Sequence, residues 1–108
     1  MTASRSRPRL SRAARDMKPH ADRAARLLRS LANEQRLMLL CNLLEGPMSV
    51  TELNQRVALS QSALSQHLAV LREAGVVTTE RRAQSILYAL PQGPVIEIIR
   101  VLKQEFCG

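Results

Sequence analysis

Residues 49–90 read SVTELNQRVALSQSALSQHLAVLREAGVVTTERRAQSILYAL, and their order decides the fold. Ser49 and Glu52 have the spacing of a capping box, in which the hydroxyl caps a free N–H and the carboxylate reaches back. Val50, Leu53 and Val57 give that short helix an apolar side. Ser60 opens a second, longer helix whose inward side is Ala63, Leu64, Leu68 and Leu71, and Gly75 supplies the left-handed residue that ends it. Val76–Thr79 and Ser85–Leu90 are β-branched and apolar enough for strands, with Arg81 and Arg82 in the polar connector between them. Short helix, turn, longer helix, strand, basic turn, strand is the order of a winged helix-turn-helix: mainly α, with a small β-hairpin wing.

Outward from this stretch, Asn33 is placed to cap a preceding helix in which Leu37, Leu40, Cys41 and Leu44 follow the i, i+3, i+4, i+7 pattern. Gly46-Pro47 stops it. Before it, Ala21, Ala24, Ala25, Leu27, Leu28 and Leu31 form a helical stripe over residues 20–31, with arginines on the other faces. After the wing, Pro91-Gln92-Gly93-Pro94 breaks the chain, and Val95, Ile98, Ile99, Leu102 and Phe106 mark a last amphipathic helix. Residues 1–19, basic and interrupted by Pro8 and Pro19, read as a disordered arm, and residues 20–108 as one domain. The arm's composition also suits an organellar transit peptide or an accessory contact to phosphates.

The chain has 108 residues and a formal net charge of +7. Residues 1–29 carry nine basic and two acidic side chains, whereas residues 30–108 carry seven of each. The excess charge therefore lies entirely in the arm and first helix. Any nucleic-acid binding by the rest must come from charge placement rather than charge total. Tyr88 and Phe106 are the only aromatics, which argues against base stacking on single strands. No apolar run approaches the roughly 20 residues of a membrane span. No catalytic acid–base pair or phosphate loop is visible, so an enzyme is not expected. A domain this small gains from oligomerisation. The outer helices offer the surface for it, through Leu27, Leu28 and Leu31 at one end and Val95, Ile98, Ile99, Leu102 and Phe106 at the other.

The longer helix is the candidate reading element for double-stranded DNA. Ser60, Gln61, Ser62, Ser65 and Gln66 are short polar residues in its N-terminal half, where a major-groove helix meets base edges. Gln can pair bidentately with adenine, and Ser is a permissive donor or acceptor. Taken alone, the same residues describe a solvated face; the surrounding helix–turn–helix–wing order points to reading. Arg81 and Arg82 are placed to reach backbone or minor groove, or else to cap a solvated hairpin. His67 suits either a DNA contact or a half-buried position.

Residues 31–90, and above all the Leu-Ser-Gln-Ser-x-Leu-Ser-Gln-His-Leu-x-x-Leu-Arg-x-x-Gly-Val-Val run from Leu59 to Val77, resemble the ArsR-type winged-helix repressors of bacteria. The resemblance covers roughly residues 20–107. It implies a cytoplasmic homodimer, built from the first and last helices, that reads a palindromic operator. Metal sensing is common in such repressors, but the ligand patterns are missing. Val50-Thr51-Glu52-Leu53 offers no cysteine, and the last helix has neither His nor Asp. No metal or other cofactor is expected.

The two cysteines, Cys41 and Cys107, resemble in context the dithiol subgroup of these repressors, the SqrR-like and BigR-like sulfide and persulfide sensors. That resemblance implies that reactive sulfur species link the pair, that the linked protein releases its operator, and that sulfide-detoxification genes are among its targets. On residue chemistry alone Cys41 also fits a core position, and Cys107 lies between opposing influences. The helix end and the Gly108 carboxylate disfavour a thiolate, while Lys103 and Arg100 favour it. A different inducer (a metal, haem or a general oxidant) and a winged-helix protein-interaction module remain as other readings; the neutral charge of residues 30–108 favours the module.

Overall fold

The computed structural model describes residues 9–108. Its elements run α1 (Arg12–Met17), a 3-10 turn (Lys18–His20), α2 (Ala21–Leu31), α3 (Glu34–Leu43), β1 (Met48–Ser49), α4 (Val50–Arg56), α5 (Gln61–Glu73), β2 (Thr78–Arg82), β3 (Ser85–Ala89) and α6 (Pro94–Cys107). The strands form one antiparallel sheet in the order β1-β3-β2. This is a winged helix-turn-helix, helical apart from the wing.

The local signals act as their chemistry dictates. Asn33 accepts from the Arg36 N–H at 3.1 Å, and Ser60 from the Ala63 N–H at 3.2 Å. Ser49 and Glu52 complete both halves of the capping box at 3.1 Å each. Gly75, at φ +74°, closes α5. The Val76 N–H donates to the Leu71 carbonyl at 2.8 Å and the Gly75 N–H to the Arg72 carbonyl at 3.0 Å, a Schellman ending. That ending turns the chain directly into the buried pair Val76 and Val77.

One core serves every layer. Leu39, Leu40 and Leu43 enter it from α3, Leu53 from α4, Leu64, Leu68 and Leu71 from α5, and Val95 and Ile99 from α6. Leu31 closes it from α2.

Three expectations change. Residues 1–8 of the proposed disordered arm lie outside the described residues, but Arg12–Met17 is helical, with Ser11 capping the Ala14 N–H. Pro19 does not break the chain, because it sits in the first turn of the 3-10 segment, where its missing N–H is not needed. No residue of α1 is buried, so the packed body begins with α2. On α3 the deepest side chains are Leu39, Leu40 and Leu43, leaving Leu37, Cys41 and Leu44 half-buried. Leucines at 37, 39, 40, 43 and 44 support two overlapping stripes, and periodicity cannot choose between them. Finally, β2 runs on through Arg82, and the hairpin turn is only Ala83-Gln84. Ala83 takes φ +52°, as a tight two-residue turn demands, although Gly or Asn suits that position better. Strand β1 has no counterpart in the sequence reading, because two residues carry no period.

The core predicts a stability contrast readable by urea denaturation. Leu64→Ala, at a side chain with 0% exposure, should cost about 2–5 kcal/mol. Ser49→Ala should cost about 0.5–2 kcal/mol through the lost cap. An unchanged midpoint for Ser49→Ala would show that the capping box contributes nothing.

Candidate DNA interface and dithiol site

The buried side of α5 fixes what its other side presents. With Leu64, Leu68 and Leu71 inward, Gln61, Ser62, Ser65, Gln66 and Ala69 are all exposed. Ser60 differs from its neighbours: as the N-cap its oxygen already accepts from the Ala63 N–H and lies 3.4 Å from the Ser62 hydroxyl. Beyond Ser65 and Ala69 the same flank continues to Arg72, which the sequence reading passed over. A groove of about 400 Å³ lies there, lined by Ser65, Ala69, Arg72, Glu73 and Tyr88. The i, i+7 spacing of Ser65 and Arg72 was the available signal.

The wing arginines are not equivalent. Arg81 pairs across the ribbon with Ile86, and Arg82 with Ser85. Neighbouring strand residues point to opposite faces, so the two guanidinium groups leave the wing on different sides. Arg82 lies 3.4 Å from Glu80 in an exposed ion pair, whereas Arg81 has no ion-pair partner among the described residues. Both are exposed.

His67 is half-buried and faces the body rather than the open side of α5. Arg36 Nε donates to its Nδ1 at 3.4 Å, and Arg36 Nη1 donates to the Ser30 carbonyl at 3.1 Å. One side chain of α3 thus bridges the end of α2 to the middle of α5. Sequence reading could not find this link, since its partners lie 6 and 31 residues from Arg36.

The two cysteines come from α3 and α6, which pack on each other. Neither is in a disulfide; Cys41 is half-buried and Cys107 exposed. Burial pushes the Cys41 thiol above its ordinary pKa, the Cys107 sulfur adds to the rise, and the Lys103 ammonium opposes it. Beside Cys107 a groove of about 450 Å³ is lined by Leu44, Arg100, Lys103, Gln104 and Gly108.

The residues expected at a dimer interface divide in two. Leu31, Val95 and Ile99 are buried in the protomer's own core, at 3%, 4% and 0% exposure, and are not available to a partner. They sit on the deep side of their helices, which the apolar pattern alone does not separate from the outer flank. Leu27, Ile98 and Leu102 pack partly against the core, while Leu28 and Phe106 stay open, at 54% and 80% exposure. Met17, Met38 and Val101 are further exposed apolar side chains.

Among the described residues no three or more His, Cys, Asp or Glu side chains gather as a metal site, and no helix is long and apolar enough to cross a membrane.

Comparison with known proteins agrees with this geometry. Residues 33–79 match the family described as bacterial regulatory protein, arsR family. The chain is 46% identical over 92 residues to the transcriptional activator HlyU of Vibrio cholerae, covering 85% of each protein. It is 41% identical over 103 residues to the biofilm growth-associated repressor of Xylella fastidiosa, covering 95% of this chain and 89% of that one. The solved structure of HlyU from Vibrio cholerae superposes with a TM-score of 0.80 at 46% identity, over 85% of this chain and 100% of that one. That of the repressor BigR from Xylella fastidiosa superposes with a TM-score of 0.79 at 40% identity, over 92% and 99%. These relatives regulate transcription and are not enzymes, and the chain belongs to the arsR family of bacterial regulatory proteins.

Proposed function

We propose that this protein is a homodimeric transcriptional repressor of the bacterial cytoplasm that releases a palindromic operator when reactive sulfur links Cys41 to Cys107. The observation that supports the reading is the placement of the chain's only two cysteines on helices that pack on each other and share a core with α5. Regulators of this family are dimeric and bind DNA. Exposed Leu28, Val101 and Phe106 give this chain the apolar surface for a partner copy.

The chemistry follows from exposure and charge. Cytoplasmic thiols stay reduced, so a cysteine pair there is more often reactive than structural. Cys107 is the open thiol and reacts first. Its thiolate attacks the outer sulfur of a persulfide R–S–SH. The donor's S–S bond breaks, R–S⁻ leaves, and Cys107–S–SH forms. Cys41, having lost its proton to solvent, then attacks Sγ of Cys107 and expels HS⁻, which gives a disulfide. If a second donor first extends the chain to Cys107–S–S–SH, attack at its middle sulfur gives a trisulfide and the same HS⁻. The longer bridge needs less backbone movement than a disulfide, which holds Cα atoms within roughly 7 Å.

Release needs little energy. Two reading helices must match half-sites about 34–36 Å apart. A bridge that alters the α3–α6 packing moves α5 with the shared core, and about 2.7 kcal/mol of differential affinity is a hundredfold release.

Operator binding tests the interface. Gln61→Ala or Gln66→Ala should cost about 1–3 kcal/mol on the specific site and far less on random DNA, and equal losses on both would remove base reading. Arg81→Ala should weaken both DNAs and lower the salt slope by about one.

Thiol titration tests the environment of Cys41. A raised pKa means less thiolate at a given pH. Peptide-mapped alkylation of Cys41 should therefore follow a rate curve shifted to higher pH than that of an exposed cysteine peptide. Lys103→Gln, which removes the opposing charge, should shift it further upward. A curve at or below the peptide's contradicts the burial of the thiol.

The switch has its own test. Persulfide treatment should yield a Cys41–Cys107 cross-linked peptide and free the operator. Cys41→Ser and Cys107→Ser should each bind DNA and stop responding. A single variant released as readily as the parent removes the two-thiol switch, and equal release by peroxide or diamide without added sulfur makes the protein a general oxidant sensor.

A further inference from the structure

The groove beside Cys107 has a composition that a sulfur switch alone does not require. On α6, Arg100, Lys103, Gln104 and Cys107 stand at i, i+3, i+4 and i+7, so they share one flank. Leu44, one turn beyond Cys41 at the end of α3, forms the facing wall. The exposed apolar Val101 lies on another flank of α6. Glu97 holds Arg100 only by an exposed contact at 3.4 Å, of a kind worth little in water and readily exchanged. Lys103 acts on the Cys41 thiol, which places its ammonium inside the dithiol neighbourhood. Two cations also offset the negative end of the α6 dipole, which by itself would repel an anion from Cys107.

The lining of the groove narrows the ligand. It extends from Leu44 and Arg100 through Lys103 and Gln104 to Gly108, more groups than a bare sulfur chain can touch. Along the helix axis Lys103 and Arg100 lie roughly 6 Å and 10 Å before Cys107, at 1.5 Å per residue. A tripeptide spans at most about 11 Å, so carboxylates flanking a sulfur-bearing residue fall within that reach.

We infer that this groove binds the carboxylates of a small organic persulfide and so aims its outer sulfur at Cys107. Arg100 and Lys103 hold the carboxylates, Gln104 pairs with the donor's amides, and Leu44 covers its sulfur-bearing side chain. The inference rests on the sulfur-sensing reading and names its donor class. The reaction is the first transfer already described: the donor's outer sulfur passes to Cys107, the donor's S–S bond breaks, and its thiolate departs from the same groove.

The test compares three donors on the full-length protein: glutathione persulfide, its diethyl ester, and inorganic polysulfide. Quenched mass spectrometry reads the rate of sulfur addition at Cys107. The parent should react roughly three- to tenfold faster with the dicarboxylate than with the ester, the size expected of one or two exposed ion pairs. Arg100→Gln and Lys103→Gln should each erode that ratio, the dicarboxylate rate falling further than the ester rate, whose own fall reads the lost charge beside the Cys107 thiolate. S-methylglutathione, which cannot transfer sulfur, should shield Cys107 from iodoacetamide in the parent and not in Arg100→Gln. Equal rates for acid and ester, or an unchanged ratio in both variants, would overturn the groove. So would a loss confined to inorganic polysulfide, which would make the site one for small inorganic anions. A carboxylate preference and shielding without operator release would leave the groove standing and sink the sulfur switch; release without the preference does the reverse.

Discussion

Three leucines of α5 set the terms for everything else. Leu64, Leu68 and Leu71 are at most 1% exposed and share one core with Leu39, Leu40 and Leu43 of α3 and Ile99 of α6. Burying each such side chain contributes about 1.5–3 kcal/mol. Helix α5 therefore has no independent freedom, and its outward face is whatever the core leaves over. The same clamp makes a thiol event between α3 and α6 a matter for α5, because close-packed interiors transmit displacement rather than absorb it. Arg36 adds a polar strut to this apolar connection by joining α3 to His67 of α5 and to the Ser30 carbonyl of α2.

Charge follows the same economy of placement. The body from residue 30 onward is formally neutral, yet its cations are not neutralised evenly. Arg56, Arg82 and Arg100 each lie within 3.8 Å of a glutamate, while Arg72, Arg81 and Lys103 have no ion-pair partner among the described residues. Arg72 and Arg81 lie on α5 and the wing, the two elements that face DNA in a winged helix. Lys103 lies at the dithiol. Cations without an ion-pair partner thus stand where an anion is expected, although the charges of the body sum to zero.

Much of this was legible in the sequence because the deciding signals are local. Ser49 with Glu52, Asn33, Ser60 and Gly75 are chemical punctuation with one good structural use each, and all four take it. The outward polar residues of α5 followed from its inward leucines. What failed to show in the sequence is what depends on contacts across the chain. The leucine-rich run from Leu37 to Leu44 hid which side of α3 is deepest, and with it the half-open position of Cys41. The stripe on α6 mixed core residues, Val95 and Ile99, with the exposed Phe106. The wing arginines read as one basic tip until strand register separated them. The helix at Arg12–Met17 was masked by basic composition and by Pro19, although its cap, Ser11, was in plain view. That Cys41 and Cys107 stand on helices that pack on each other has no local signal at all, because α3 and α6 lie at opposite ends of the domain's sequence.

The central claim is that a bond between α3 and α6 changes the spacing of two α5 helices that otherwise keep their reading residues intact. Pulsed electron resonance measures that spacing directly. The label belongs at the exposed Glu73, carried on a noncanonical residue so that both thiols stay free. The account predicts one label-to-label distance in the reduced dimer and a displaced distance once Cys41 and Cys107 are linked, with the reduced value restored by a thiol reductant. An unchanged distance in a fully linked protein that has released its operator would contradict it.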